Sequence, residues 1–381
     1  MGDELKRGLE GVLVAESELS YVDGEAGRLV YRGYDIADLA RGASYEEVLY
    51  LLWHGSLPTA SELDAFATDL AAERSVDDAV LGAVRRLADA DERPMAALRT
   101  ATSMLSASDP DATGADGADT ARRQGRRITA KVPTILAAFE RARRGEEPVA
   151  PDPELSHAGN FLYMLTGTEP DAVSEETFDM ALTLHADHGL NASTFTAIVI
   201  GSTMADMYSA VTGGIGALSG SLHGGANQDV MDMLYEIDAS GKGPVEWVRA
   251  AREAGRRIPG FGHRVYEVKD PRAAILESKL RDLTEVSGDT TWLDYTTAIE
   301  EHLADEGLVT RGIAPNVDFY SGSVYDSLGI PIDMYTPIFA MSRAGGWIAH
   351  VAEYQSDNRL IRPRARYVGP EDAAFVPVDE R

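Results

Sequence analysis

An all-α chain of two domains is the architecture this sequence predicts, and three observations lead to it. Helix start and stop signals recur in the right order along nearly the whole length. Period-2 alternation, the mark of half-buried strands, is confined to short stretches. With 381 residues and 44% hydrophobic content, the chain is too long for one ordinary core and has ample apolar material to pack.

Near the N-terminus, Gly27 to Tyr31 is the main strand candidate. Ser44 with Glu47 and Thr59 with Glu62 have capping-box spacing, and Gly55 can stop the helix that Ser44 starts. The stretch from Ala107 to Thr120, rich in Asp, Ala and Gly, reads as a solvated acidic loop. Asp109, Asp111 and Gly114 have calcium-loop spacing, but Pro110 and Thr120 occupy positions where such a loop needs other residues. Ser174 is expected to cap a helix reaching Gly189, with Phe178, Ala181, Leu182 and His185 on its apolar stripe. Phe195 to Leu222 reads as one buried helix of a soluble protein, because Asp206 breaks its apolar run below the roughly 18 residues a membrane span needs. The glycines between Thr212 and Ser221 follow a helical stretch rather than a strand, which argues against a dinucleotide-binding turn. Gly243-Pro244 opens a helix closed by Gly255, Asp270-Pro271 one ending near Gly288, and Thr336-Pro337 one reaching about Tyr354.

Composition narrows the chemistry. Against 35 Lys plus Arg stand 62 Asp plus Glu, a net charge of -27, which argues against nucleic acid or an anionic membrane as partner. Cysteine is absent, so disulfides, thiolate metal sites and Cys nucleophiles are excluded. The opening MGDELKRGLEGVLVAE has neither the basic start and apolar core of a signal peptide nor the composition of a transit peptide, and the expected location is the cytoplasm.

Catalysis therefore falls to His, carboxylates, Arg or hydroxyls. His185 and His188 lie one helical turn apart, a spacing that suits a metal but lacks a third ligand nearby; two hydrogen-bonded core histidines are the alternative. His223, in LHGGANQDV, precedes a helix start, where imidazolium is disfavoured and a neutral ring can donate to a carbonyl becoming an enolate. A turn histidine satisfied by its neighbours is the competing reading. His263 lies in the Gly-rich PGFGHRVYEVKDPR, and Arg272 in the first turn after Asp270 suits a bidentate carboxylate clamp, or else an ordinary surface position. Asp318, flanked by Val317, Phe319 and Tyr320, should have a raised pKa that improves it as a base, unless it is a simple cap. Arg343 interrupts an apolar helix and needs an anionic partner, either a ligand or an acid such as Glu353. The basic stretch from Arg359 to Arg366 recognises phosphate or carboxylate, or braces an acidic surface.

Together these segments resemble the citrate synthase family in its short prokaryotic form. Residues 8–37 and 151–168, followed by the segments around His188, His223, His263, Asp318, Arg343 and Arg362, look like that family in the same order. The resemblance implies an almost wholly helical homodimer with a large domain of residues 1–224 and 329–381 and a small domain of 225–328. It implies condensation of acetyl-CoA with oxaloacetate to citryl-CoA, hydrolysed to citrate and CoA, without metal or permanently bound cofactor. His188, Arg272 and Arg343 would hold oxaloacetate, with Arg362 supplied by the other subunit. Asp318 would take the methyl proton, His223 would stabilise the enol and His263 would polarise the ketone. CoA would meet Arg256, Arg257, Ile258, Pro259 and Gly260, although Glu267 stands where many relatives carry a basic residue, so that either Lys269 substitutes or high salt reduces the need for that contact. Gly224 and Gly329 are candidate hinges or helix stops. The alternatives are a 2-methylcitrate synthase using propionyl-CoA, an enzyme cleaving citryl-CoA, and a non-catalytic CoA-binding homodimer. The last would have eroded its base or electrophile, whereas Asp318, His223 and His263 are all present. Lys6, Lys131, Lys242, Lys269 and Lys279 are the only lysines, and this bias with the acid excess looks like adaptation to a salt-rich cytoplasm.

Overall fold

The computed structural model describes residues 5–9, 11–112 and 118–381. Sixteen α-helices account for most of the described chain. The first half carries α1 (Ile36–Gly42), α2 (Tyr45–His54), α3 (Ala60–Ala72), α4 (Asp78–Asp89), α5 (Pro94–Met104), α6 (Ala118–Arg143), α7 (His157–Thr166) and α8 (Ala172–His185). There follow α9 (Ala192–Gly201), α10 (Met207–Leu218), α11 (Ala226–Ser240), α12 (Pro244–Glu253), α13 (Pro271–Ser287), α14 (Thr291–Asp305), α15 (Val317–Ser327) and α16 (Tyr335–Ser356). The all-α expectation holds. The strand expected over 27–31 is β2 (Arg28–Tyr31), central in an antiparallel meander between β1 (Ser20–Asp23) and β3 (Tyr34–Asp35), with Ser20 opposite Tyr31.

Local capping chemistry explains most boundaries. Ser44 with Glu47 and Thr59 with Glu62 form complete capping boxes at α2 and α3, and Gly55 closes α2. Pro244 and Pro271 occupy the first turns of α12 and α13, where their missing N–H is no loss.

Three expectations need correction. The helix expected from Ser174 to Gly189 is capped instead by Asp171, whose carboxylate accepts from the N–H groups of Val173 and Ser174, and it ends at His185. The stretch from Phe195 to Leu222 is two helices, because Asp206 is itself the cap of α10, accepting from Ser209 N. In the 107–120 loop, the Asp109 side chain is buried and that of Asp111, though partly exposed, is tied down: Arg127 binds both, Arg123 binds Asp111, and the Tyr208 hydroxyl donates to Asp109. Gly114 of the calcium-loop pattern lies outside the described residues.

Helix α16 is the axis of the core, buried almost without a break from Tyr335 to Ala352. Around it pack α2, α6, α8, α9 and α10. The second group comprises α11 to α15 and meets the first through α8 and α1 against α13. Gly329 stands just beyond Leu328, the C-cap of α15, and its N–H donates to the Asp326 carbonyl (2.9 Å), as at a helix stop. Among the described residues no helix is long and apolar enough to cross a membrane.

Candidate active site

Where the two groups of helices meet, a cavity of about 1060 Å³ gathers His188, His223, His263, Arg272, Asp318 and Arg343 onto one wall system. The placement is built from element ends. His188 follows α8, His223 occupies the turn before α11, and His263 lies on the loop leading to α13. Arg272 and Asp318 fall in the first turns of α13 and α15, while Arg343 stands midway along α16. Arg362 is not among the lining residues; it belongs to the exposed, non-helical stretch after α16.

Hydrogen bonds set the tautomers of two histidines. Ser193 N donates to His223 Nε2 (3.1 Å), and the Ser193 hydroxyl lies 2.8 Å from the same atom. A ring nitrogen that accepts an N–H carries no proton, so neutral His223 holds its proton on Nδ1. In His263 the roles are reversed: Nδ1 accepts from Val265 N (3.0 Å) and Tyr266 N (3.1 Å), leaving Nε2–H as the donor. Burial, reinforced by nearby arginines, lowers the pKa of each to about 4, so both rings are neutral donors at pH 7. His188 is held well below its ordinary value by burial and by Arg272 and Arg343, and its Nε2 lies 3.2 Å from the Tyr266 hydroxyl.

Asp318 is the opposite case. Its place in the first turn of α15 favours the anion, yet burial prevails and raises the pKa to about 6, with the positive Arg272 and Arg343 only partly offsetting it. It is a carboxylate at neutral pH, with a basicity that suits proton abstraction.

The buried arginines differ. Arg272 is gripped by Asp270 through Nε (3.0 Å) and Nη2 (2.7 Å); burial opposes its charge, but this partner keeps its pKa above the ordinary value. Arg343 is pulled down to about 10 by burial, donates Nε to the His185 carbonyl (2.6 Å) and lies over the Phe339 ring at 4.6 Å. Glu353, its alternative sequence partner, instead accepts from Glu18 N (3.0 Å), and no ion pair to Arg343 occurs among the described residues. A buried cation without a direct counter-ion suits an anionic ligand. His185 turns into the core, bonding to the Ala181 carbonyl (2.7 Å), so it and His188 take separate partners; among the described residues no three His, Cys, Asp or Glu side chains gather as a metal site.

A second cavity, of about 550 Å³, is lined by Arg256, Arg257, Ile258, Pro259 and Gly260, and it shares Ala226, Gly262 and Asn316 with the first. Gly260 has φ +80°, and a Cβ there would come within 2.8 Å of Phe319, so only glycine allows this loop to rest on the helix that carries Asp318. Asn316 completes the seam, its N–H on the Gly260 carbonyl (2.9 Å) and its Nδ2 on the Gly262 carbonyl (2.9 Å). Asp229, Asp232 and Glu236 also line this cavity. Glu236 holds Arg256 through two hydrogen bonds (3.1 and 2.8 Å), and the guanidinium stacks on Trp247. Lys269, the suggested substitute for a basic residue at 267, lines neither cavity, because Glu277 (2.8 Å) and Glu300 (2.6 Å) bind its ammonium.

Sequence reasoning passed over Tyr266, Asn316 and Ser193. Asn316 had a legible signal as the residue before a helix start, and it caps α15 by accepting from Asp318 N. Ser193 had none, because its bond to His223 joins residues 30 positions apart.

A helical chain that sets a basic carboxylate, neutral imidazole donors and buried guanidinium groups around one cavity describes a condensing enzyme of the acyltransferase type. Residues 8–364 match the family model described as citrate synthase, C-terminal domain. A citrate synthase of Haloferax volcanii is 63% identical, with all of both chains covered. The crystal structure of citrate synthase from Pyrobaculum aerophilum superimposes with TM-score 0.91 at 42% identity, covering 98% of this chain and 95% of that one. A ternary complex of carboxymethyl coenzyme A and oxaloacetate with citrate synthase from Thermoplasma acidophilum gives TM-score 0.89 at 35% identity, covering 99% of this chain and 100% of that one. Relatives named 2-methylcitrate synthase match at lower identity, 40% for one from Corynebacterium glutamicum with 99% of each chain covered. The chain belongs to the citrate synthase family.

Proposed function

We propose that this chain condenses acetyl-CoA with oxaloacetate and hydrolyses the resulting citryl-CoA to citrate and CoA. The observation that carries the reading is the opposition of protonation states in one cavity: a carboxylate raised to about 6 beside two histidines whose remaining nitrogens are N–H donors. Asp318 takes a proton from the acetyl methyl group while Nδ1–H of His223 donates to the thioester oxygen, so charge never accumulates fully on the enolate. The enol carbon attacks the oxaloacetate ketone, polarised by Nε2–H of His263. His188, Arg272 and Arg343 hold the dicarboxylate, and water then releases CoA.

The thioester enters along the shared seam at Gly262 and Asn316, with residues 256–260 receiving the nucleotide end. Residues 225–328 form the smaller domain, which closes over the substrates to exclude water. A second copy completes the site with Arg362. Supporting this pairing, the exposed terminal stretches carry bare apolar side chains, including Leu13 at 97%, Val368 at 89% and Phe375 at 84%. The acid excess and arginine bias fit a protein working in concentrated salt.

Release of free CoA thiol from acetyl-CoA and oxaloacetate, followed spectrophotometrically, tests the assignment. No release with acetyl-CoA but turnover with propionyl-CoA would transfer it to the 2-methylcitrate reaction, since one methylene is worth about 1–3 kcal/mol in such a pocket.

A further inference from the structure

Arg343, Gly346 and His350 lie at i, i+3 and i+7 on α16, and they meet three successive residues leading into His188. Arg343 Nε donates to the carbonyl of His185 (2.6 Å). At Gly346 the helix approaches so closely that a Cβ would lie 2.3 Å from the Ala186 carbonyl oxygen and 2.8 Å from Asp187 Oδ1. His350 Nε2 bonds to both carboxylate oxygens of Asp187 (3.1 and 3.2 Å). Tyr31 closes the opposite side: its hydroxyl donates to the Asp187 carbonyl (2.7 Å) and accepts from Asp187 N (3.1 Å). On the far side of His188, Gly189 N reaches back to Asp187 Oδ2 (3.4 Å) and to the Ser20 hydroxyl (3.0 Å).

Asp187 and Tyr31 are wholly buried and His350 nearly so, and none of them lines the cavity. A carboxylate sealed from water is costly to retain unless it is paired and serves something. Burial pushes the Asp187 pKa up, but His350 and Arg343 pull it down further, so it stays ionised. Its charge is also the foremost of those that counter the loss of charge on buried Arg343.

We propose that Asp187, locked by His350, is a positioning residue for the dicarboxylate site: it clamps the His188 backbone to α16 and supplies the charge that Arg343 lacks in direct contact. The inference rests on the assignment of His188 and Arg343 to oxaloacetate. It goes beyond that assignment by making their geometry depend on a buried pair that touches no substrate.

The test uses Asp187→Asn, His350→Leu and His350→Gln in the full chain at molar salt, with melting temperature, kcat and KM measured for each. The oxaloacetate Kd is read separately by calorimetry without thioester. Asp187→Asn and His350→Leu are expected to raise KM and Kd for oxaloacetate roughly 10- to 100-fold, by analogy with the loss seen when the outer partners that orient metal-bound histidines are removed. Their kcat and the KM for acetyl-CoA should change little, and His350→Gln, which keeps an N–H donor, should recover most of the loss. A folded Asp187→Asn with unaltered oxaloacetate KM and Kd would overturn the proposal, as would equal losses in the Gln and Leu variants. If Asp187→Asn does not fold, the two His350 variants decide. Wild-type protein that releases no CoA would sink the reaction assigned above, while the calorimetric comparison would still read the clamp.

Discussion

Replacing Asp318 with Asn should stabilise the protein while disabling it. The carboxyl has a pKa near 3.9 in an unfolded chain and about 6 in the folded protein, where burial penalises its charge. A raised carboxylate pKa means that the fold prefers the neutral acid. The favourable contribution is complete near pH 3, below the unfolded value, and lost as pH rises through 6, so above that value ionised Asp318 costs the fold about 3 kcal/mol, roughly two units at 1.36 kcal/mol each. Asparagine has a similar shape and no charge. Urea unfolding at fixed salt should show Asp318→Asn more stable than wild type by as much as about 3 kcal/mol at pH 8, about half of that at pH 5, and equal near pH 3. CoA release should meanwhile fall roughly 10²- to 10⁴-fold, the usual contribution of a positioned base. A stability difference independent of pH would refute the desolvation argument, and turnover above a tenth of wild type would remove Asp318 as the base.

Other expectations follow from the same geometry. The kcat/KM of wild type should drop tenfold per pH unit below about 6 as Asp318 protonates, while His223 and His263, with values near 4, add no limb of their own in that range; a profile flat to pH 5 would contradict this. His223→Ala should lose about 2.7–4 kcal/mol of transition-state stabilisation, a hundred- to a thousandfold in turnover, and near-normal turnover would take His223 out of the reaction. Because the Arg256–Glu236 pair is exposed and screened by solvent, Glu236→Gln should lower the KM for acetyl-CoA only slightly; an increase would show that the acid orients Arg256 rather than competing for it. With a net charge of -27, the proposed dimer should loosen as salt is withdrawn and carboxylate repulsion extends beyond the roughly 3 Å screening length of 1 M salt. A melting temperature unchanged from millimolar to molar salt would refute this.

The resemblance of the ordered segments points to the family from sequence alone, and several physical arguments agree with it. Neutral His223 and a raised Asp318 were both expected, although the sequence argument for His223 invoked a helix start whereas burial is the larger cause. Of the two readings of His185 and His188, hydrogen-bonded core histidine holds for His185, which bonds to the Ala181 carbonyl, whereas His188 lies beyond the helix end, lines the cavity and meets Tyr266. The solvated loop at Asp109 failed for a similar reason, since Arg127 and Tyr208 reach it from distant elements.

Sequence by itself determined what acts over a few residues: capping boxes at Ser44 and Thr59, the proline starts at Pro244 and Pro271, and which residue types were present to do chemistry. Those features depend on partners within one helical turn, and a linear reading contains them. Tertiary structure alone decided the tautomers, through Ser193 on His223 and the backbone of Val265 and Tyr266 on His263. It also committed Lys269 to Glu277 and Glu300, left Arg343 without a contact counter-ion among the described residues, and sealed Asp187 against His350, 163 positions away. Protonation and charge depend on how far water is excluded and on which groups approach through space, and neither is written in local spacing.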